Sequence, residues 1–312
     1  MPALKSFTPE GFQYAWDATS VSAFEKCPRY YQLRYLEGWQ PNLISSHLTF
    51  GGVYASALEH FHKHIALGLN PEEATRRVVK DAMIATWTYD LDETGNSLPD
   101  TGKPWDSLHN SKTRDTLIRS IVWYLDHFSA DPTELVILSD GTPAVEYSFS
   151  IPMERDIIYC GHIDRLVKYS GGTYVMDQKT SGATITTHYF KQFNPDVQMG
   201  GYTWAGQIIF GMPVSGVIID AAQIAVGFTR FERGFIQYPK TLLAEWYENT
   251  MLTIESARAA HAANHYRQNR ASCGNYGGCE FRDICSRSPE HRPNLLTASF
   301  KRGKRWDPLT RR

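Results

Sequence analysis

The spacing of apolar residues changes along the chain. After Thr19 and Ser20, both candidate helix caps, Val21, Phe24, Tyr31 and Leu33 follow at helical spacing and predict a helix over residues 19–36. Further helices are expected over about 50–67, 71–88 and 111–128. The stretch LDETGNSLPDTGKPW between the last two is rich in Gly, Pro and Asp and reads as a loop. At Pro143 the period shifts from helical to alternating. AVEYSFSI, DIIYCGHIDRLVKY and TYVMDQKT read as three strands, the last two joined by a tight turn at Gly171-Gly172. A helix over about 195–210 is stopped by Gly211 and Pro213, GVIID is a short buried strand, and a long helix spans about 239–266. The pattern predicts an α/β fold: a mixed central sheet, a helical N-terminal half and a cysteine-rich tail. Four segments follow from it: 1–142, helical; 143–266, the α/β core; 267–290, the cysteine segment; and 291–312, a basic tail.

Composition narrows the reading. The 312 residues are 42% hydrophobic, enough for a sizeable core. The net charge of −1 shows no global basic excess, so nucleic-acid binding would need a local basic groove. There is no apolar run long enough to span a bilayer and no export signal at the start, which points to a cytoplasmic protein without a membrane span. Five cysteines without an export signal argue against a disulfide framework and raise metal ligation. No G-x-x-x-x-G-K-[ST] motif occurs, so no P-loop motor is expected.

The most informative stretch runs from Gly161 to Lys179. Asp177 and Lys179 stand two apart on a strand and share a face, and a hairpin would bring Asp164 beside Asp177. Two carboxylates converging at a sheet edge make a hard oxygen site suited to Mg²⁺ or Mn²⁺, and a lysine beside them can stabilise charge developing on a phosphodiester. A lone D-x-K is usually a solvated pair. Here the flanking residues are strongly apolar, and charge embedded among them calls for a reason. The cysteines form a second constellation. Cys27 stands alone near the start, while Cys273, Cys279 and Cys285 are each separated by five residues. Four thiolates could hold Zn²⁺ or a [4Fe–4S] cluster, and the absence of C-x₂-C knuckles favours the cluster. Cys160 sits among apolar neighbours and reads as core.

These motifs resemble the PD-(D/E)XK nucleases, in particular the RecB-like branch. G-H-I-D-R-L-V and V-M-D-Q-K-T match its second and third motifs, and Gln198-Met-Gly-Gly-Tyr202 is similar to its Q-x-x-x-Y motif. The resemblance implies Asp164 and Asp177 as metal-binding acids and Lys179 as catalytic lysine, with Gln198 and Tyr202 reaching the site from one helix face. The first motif departs from the pattern. In G-G-V-Y-A-S-A-L-E, Ala55 stands where the family has a metal-binding histidine, and Glu59, one turn on, is the expected substitute ligand, with His60 and His62 nearby. C-P-R-Y-Y and C-E-F-R-D-I-C resemble the segments of the iron–sulfur staple in the AddB nuclease domain and in CRISPR-associated exonucleases. By that resemblance Cys27, Cys273, Cys279 and Cys285 bind [4Fe–4S], with Zn²⁺ as the alternative.

The implied activity is metal-dependent DNA hydrolysis, acting as an exonuclease on single strands or ends in repair or recombination, as in stand-alone phage and prokaryotic enzymes, with a separate helicase or recombinase as partner. Two rivals stay open: a catalytically silent DNA-binding or assembly module, suggested by Ala55, and a cysteine-centred zinc or redox protein. The tail KRGKRWDPLTRR is expected to be solvated and disordered. Arg29, Arg34, Tyr30, Tyr31 and Tyr35 suit either single-stranded DNA or the core.

Overall fold

The computed structural model describes residues 5–42, 46–90, 98–105, 109–275 and 278–310. Residues 91–97 of the expected loop, Tyr276 in the cysteine segment and the last two arginines lie outside them.

The elements follow in chain order. The N-terminal part holds β1 (Ala15–Trp16), α1 (Ala18–Lys26), α2 (Pro28–Tyr31), a π-helical turn (Gln32–Leu36), β2 (Trp39–Pro41), α3 (Ser46–Ala66), α4 (Pro71–Ala85), β3 (Trp87–Thr88), β4 (Lys103–Pro104) and α5 (Arg114–His127). The middle holds β5 (Glu134–Leu135), β6 (Val145–Pro152), β7 (Ile158–Tyr169), β8 (Gly172–Ser181), α6 (Thr187–Lys191), α7 (Val197–Phe210), β9 (Gly216–Ile224) and β10 (Thr229–Gln237). α8 (Lys240–Ala262), α9 (Arg282–Cys285), α10 (Arg292–Ser299) and β11 (Phe300–Arg302) complete the chain.

The helix expected over 19–36 is broken. Asp17, not Thr19 or Ser20, caps α1 through the Ser20 amide, and Cys27 interrupts it with extended backbone before Pro28 restarts the chain in α2. The central seven-stranded sheet runs β1-β7-β8-β9-β10, with β5 and β6 on the other edge of β7. β8 and β9 are parallel, β7 and β8 antiparallel, so the sheet is mixed as expected. β9 is buried along its whole length, because helices cover both faces. One face packs α7 and α8 over Ile163, Val175, Val217 and Ile219; the other packs α3, α4 and α5 over Ala222 and Ile224.

The C-terminal tail corrects an expectation. It is docked rather than disordered: β11 pairs with β2, Trp306 Nε1 donates to Asp17 Oδ2 at 3.2 Å, and Pro308 is buried. Phe300 stacks on Phe281 at 4.9 Å, so aromatic burial and backbone pairing hold a segment whose charges alone would leave it in solvent.

Candidate active site

The strands that carry the acids separate where the acids stand. β7 and β8 pair from Tyr169↔Gly172 up to Arg165↔Met176; beyond that β8 pairs only with β9. Asp164 and Asp177 are the next positions on the two strands. The Gln178 amide donates to Asp164 Oδ2 at 2.9 Å, so a carboxylate takes the place of the carbonyl that a continuing ladder would supply. The site therefore lies in the middle of the sheet, at a fork between strands, and not at the sheet edge expected from the sequence. β8 is covered on both faces, which is why Asp177 is 1% exposed.

Alternation sends Asp177 and Lys179 to the α7 face. Lys179 Nζ lies 2.6 Å from Asp177 Oδ2 and donates to Gln198 Oε1 at 3.0 Å, while Gln198 Nε2 donates to the Tyr202 hydroxyl at 2.9 Å. The Gln198–Tyr202 spacing on one helix face makes them a strut that fixes the lysine. α7 is seated tightly to do this. A Cβ on Gly201 would fall 2.0 Å from the Tyr159 hydroxyl oxygen, so this position takes only glycine. Burial pushes the Asp177 carboxyl up to about 7; Lys179 opposes that rise and Asp164 adds to it. Lys179 is held in its charged form, since the pull of Asp177 and Asp164 exceeds the cost of burial.

Two acids that the motif reading passed over belong to the surroundings. Asp196 caps α7 by accepting from the Gln198 and Met199 amides, and its charge bears on both Asp177 and Lys179. An Asp just before a helical run is a cap signal that the sequence carried. Glu146 of β6 falls in register opposite Asp164, on left-handed backbone (φ 48°) unusual for a non-glycine residue.

Glu59 does not join this group. Its carboxylate pairs with Lys63 one turn along α3, and among the described residues no hydrogen bond or ion pair joins it to Asp177 or Lys179. α3 packs on the opposite face of the sheet. There His62, half-buried, contacts Arg165. Arg165 lies 3.0 Å from Asp220 of β9 and donates to the Tyr124 hydroxyl at 3.1 Å, and Gln178 Nε2 donates to Asp220 at 2.9 Å. Arg233 reaches Asp220 at 3.4 Å and Asp131 at 2.6 Å. Sequence reasoning missed this network entirely, because its members come from six separate elements and the loop that carries Asp131.

Divalent-cation chemistry is compatible with the catalytic face. Among the described residues no three His, Cys, Asp or Glu side chains converge on one point, so a closed protein cage is absent. Mg²⁺ and Mn²⁺ sites in phosphoryl chemistry are commonly held by one or two carboxylates, with water and substrate phosphate completing the shell. Asp164 and Asp177 are the carboxylates that would hold such an ion, and burial is the main cause of the raised Asp177 carboxyl.

The cysteines meet across the chain. The Asn269 amide donates to Cys27 Sγ at 3.2 Å and the Cys279 amide to the Cys273 carbonyl at 3.0 Å. Burial raises the Cys279 and Cys285 thiols, and each feels other members of the set: Cys279 feels Cys285 and Cys273, and Cys285 feels Cys27. Phe281, Ile284, Leu33 and Leu296 pack around them. Among the described residues no three of these side chains converge as metal ligands. Cys160 is buried core as expected, with its thiol against the Trp16 carbonyl at 3.4 Å.

No curated protein matches the chain. Among solved structures, a candidate exonuclease from Eubacterium rectale is similar at 10% identity and TM-score 0.48, covering 86% of this chain and 87% of that one. The protein SSO0001 is similar at 10% identity and TM-score 0.28, covering 77% and 76%. A family model matches residues 15–286, a span that takes in the strand fork, the Lys179 strut and all four clustered cysteines. By that match the chain belongs to the PD-(D/E)XK nuclease superfamily.

Proposed function

We propose that the protein is a metal-dependent deoxyribonuclease that hydrolyses phosphodiester bonds at the β7–β8 fork, acting as an exonuclease on single strands or DNA ends. The observation that carries the reading is the group of Asp164, Asp177 and Lys179 with the lysine braced by Gln198 and Tyr202. A divalent cation bound by Asp164 and Asp177 supplies Lewis-acid activation of the phosphodiester and of the attacking water. The protein's own residues orient and neutralise. Asp164 is fixed by the Gln178 amide, and the Lys179 ammonium sits where it can stabilise charge building on the phosphoryl oxygens. Gln198 and Tyr202 hold that ammonium in position and are positioning residues. Repair or recombination beside a separate helicase or recombinase is the setting we assign to it, from the family resemblance.

Cleavage of end-labelled single- and double-stranded DNA with Mg²⁺, Mn²⁺ or EDTA tests the reading. Stepwise loss of terminal nucleotides that EDTA stops is expected. Intact DNA with either metal would overturn the activity, and internal cuts in circular DNA would overturn the exonuclease mode.

We further propose a [4Fe–4S] cluster on Cys27, Cys273, Cys279 and Cys285 that ties the two chain ends together and stands apart from the reaction. Closing a loop from Cys27 to Cys285 constrains the unfolded chain by about 5–6 kcal/mol in the entropic model. Anaerobic purification should give a coloured protein with iron and sulfide, and Cys285→Ala should lose both along with thermal stability. Stoichiometric zinc in a colourless protein would replace the cluster and keep the staple.

A further inference from the structure

Beside the cysteines, α2, the segment after α8 and the start of α10 enclose a cavity of about 310 Å³ lined by Arg29, His265, Arg267, Gln268, Arg270 and Arg292. No carboxylate lines it. Among the described residues none of the four arginines has an acidic partner within ion-pair distance. Four guanidinium groups around one space repel one another, and the fold holds them there through backbone contacts. Arg29 Nε donates to the Tyr266 carbonyl at 2.9 Å, and Arg292 donates to the carbonyls of Arg287 at 3.0 Å and Cys285 at 3.3 Å. Arg267 and Arg270 are exposed, their carbonyls accept from the Arg29 and Cys273 amides, and their guanidinium groups make no hydrogen bond or ion pair to the described residues, so both are available to a ligand.

A second cavity of about 360 Å³ shares His265 and Arg267 with it and extends past Phe24 and Thr253 to Glu25.

We propose that the arginine cavity is a phosphate subsite, which holds phosphates of the bound DNA strand at a distance from the bond that is cut. Guanidinium forks match phosphate oxygens two at a time, and a cavity with only cationic and neutral lining selects for an anion. That the anion is part of a DNA strand rests on the nuclease reading. Phosphate could be presented there by an internal phosphodiester or by a terminal phosphate. The rival assignment is that the arginines only balance negative charge at the cysteines, since Arg29 and Arg292 bear on Cys285. Arg267 and Arg270, pointing to solvent, separate the two.

The test uses the full chain with its cysteine site loaded and the double variant Arg267→Gln/Arg270→Gln. Binding of a labelled single-stranded oligonucleotide, carrying either a 5′-phosphate or a 5′-hydroxyl, is followed by anisotropy in EDTA over a range of KCl concentrations. The dependence of log Kd on log salt should become shallower by about 1.4, two phosphate contacts at about 0.7 each for single strands. Equal losses for both oligonucleotides assign the subsite to internal phosphates, and a loss confined to the phosphorylated one assigns it to a terminal phosphate. Lys80→Gln, on an exposed stretch of α4, controls for loss of a positive charge elsewhere on the surface, where a slope change of no more than about 0.7 is the ceiling for one contact. Unchanged affinity and salt slope in the double variant, or altered iron content with normal DNA binding, would overturn the subsite. Because binding is read without metal, the outcomes stay separate: lost binding in a protein that cleaves nothing keeps the subsite and removes the nuclease reading, and normal binding with normal cleavage does the reverse.

Discussion

The two faces of β8 carry opposite electrostatic designs within three residues. On the α7 face, Asp177 and Asp164 confront one lysine, and burial has pushed the Asp177 carboxyl up to about 7. On the other face, the Gln178 side chain enters a closed set in which Asp220 and Asp131 are matched by Arg165 and Arg233, with Tyr124 filling a remaining site. The closed face has its charges paired inside the protein; on the α7 face, the open one, burial leaves the Asp177 carboxyl raised beside Lys179. A buried carboxyl raised in this way marks a candidate functional face. The closed face still bears on function, because Gln178 belongs to both: its side chain is held by Asp220 while its amide holds Asp164.

The largest effect is expected on the closed face. Arg165→Ala takes from buried Asp220 its nearer cationic partner, leaving Arg233 at 3.4 Å, and should destabilise the protein by up to about 3–5 kcal/mol, the range for removal of one partner from a buried pair. Urea unfolding measures it, and a loss under 1 kcal/mol would mean that the network is not the framework of the sheet. On the open face, Lys179→Ala should lower single-turnover cleavage by about 10²–10³ while leaving the melting temperature near wild type. A rate above half of wild type would remove the lysine from the reaction.

The third prediction concerns pH. The folded-state carboxyl of Asp177 is raised above its unfolded value, so its contribution is full below the unfolded pKa and is lost as pH rises through about 7. The metal-free protein should lose roughly 2 kcal/mol from this group between about pH 5 and 8. Asp177→Asn should flatten that part of the profile and weaken Mn²⁺ binding in calorimetry. An unaltered profile would show that Lys179 compensates the carboxylate fully. The smallest effect belongs to Glu59. Glu59→Gln removes only a helical ion pair with Lys63, worth about 0.3–0.5 kcal/mol, and should leave Mn²⁺ affinity unchanged. A loss matching that of Asp177→Asn would bring Glu59 into the metal site when the ligand is bound.

The legible parts of the molecule were those where chemistry and periodicity are local. The β7–β8 hairpin turns at Gly171 and brings Asp164 and Asp177 together just past its last pair, Arg165↔Met176, so their nearness followed from the hairpin and the shared face of Asp177 and Lys179 from alternation. β10 escaped notice although TRFERGFIQ alternates. Gly234 weakens the strand pattern, and it is needed because a Cβ there would meet Phe190 at 2.1 Å. The helix break at Cys27 could have been read from Pro28, whose ring disfavours helical backbone in the residue before it. The tyrosines Tyr30, Tyr31 and Tyr35 were ambiguous by sequence. The fold settles Tyr31 as core, stacked on Trp16 at 5.4 Å with its hydroxyl donating to Gln13.

By itself the sequence determined the class of fold, the pair of acids with their lysine, and the Gln198–Tyr202 strut, because each rests on spacings of two or four residues within one element or across one hairpin. Only the tertiary structure decided that the acids stand at a fork inside the sheet, that Glu59 pairs with Lys63, that the basic tail is docked, and that four arginines surround one cavity. Those outcomes depend on which distant segments share a surface. That is fixed by the burial of residues such as Trp16, Phe281 and Ile284 from opposite ends of the chain, and no local period records it.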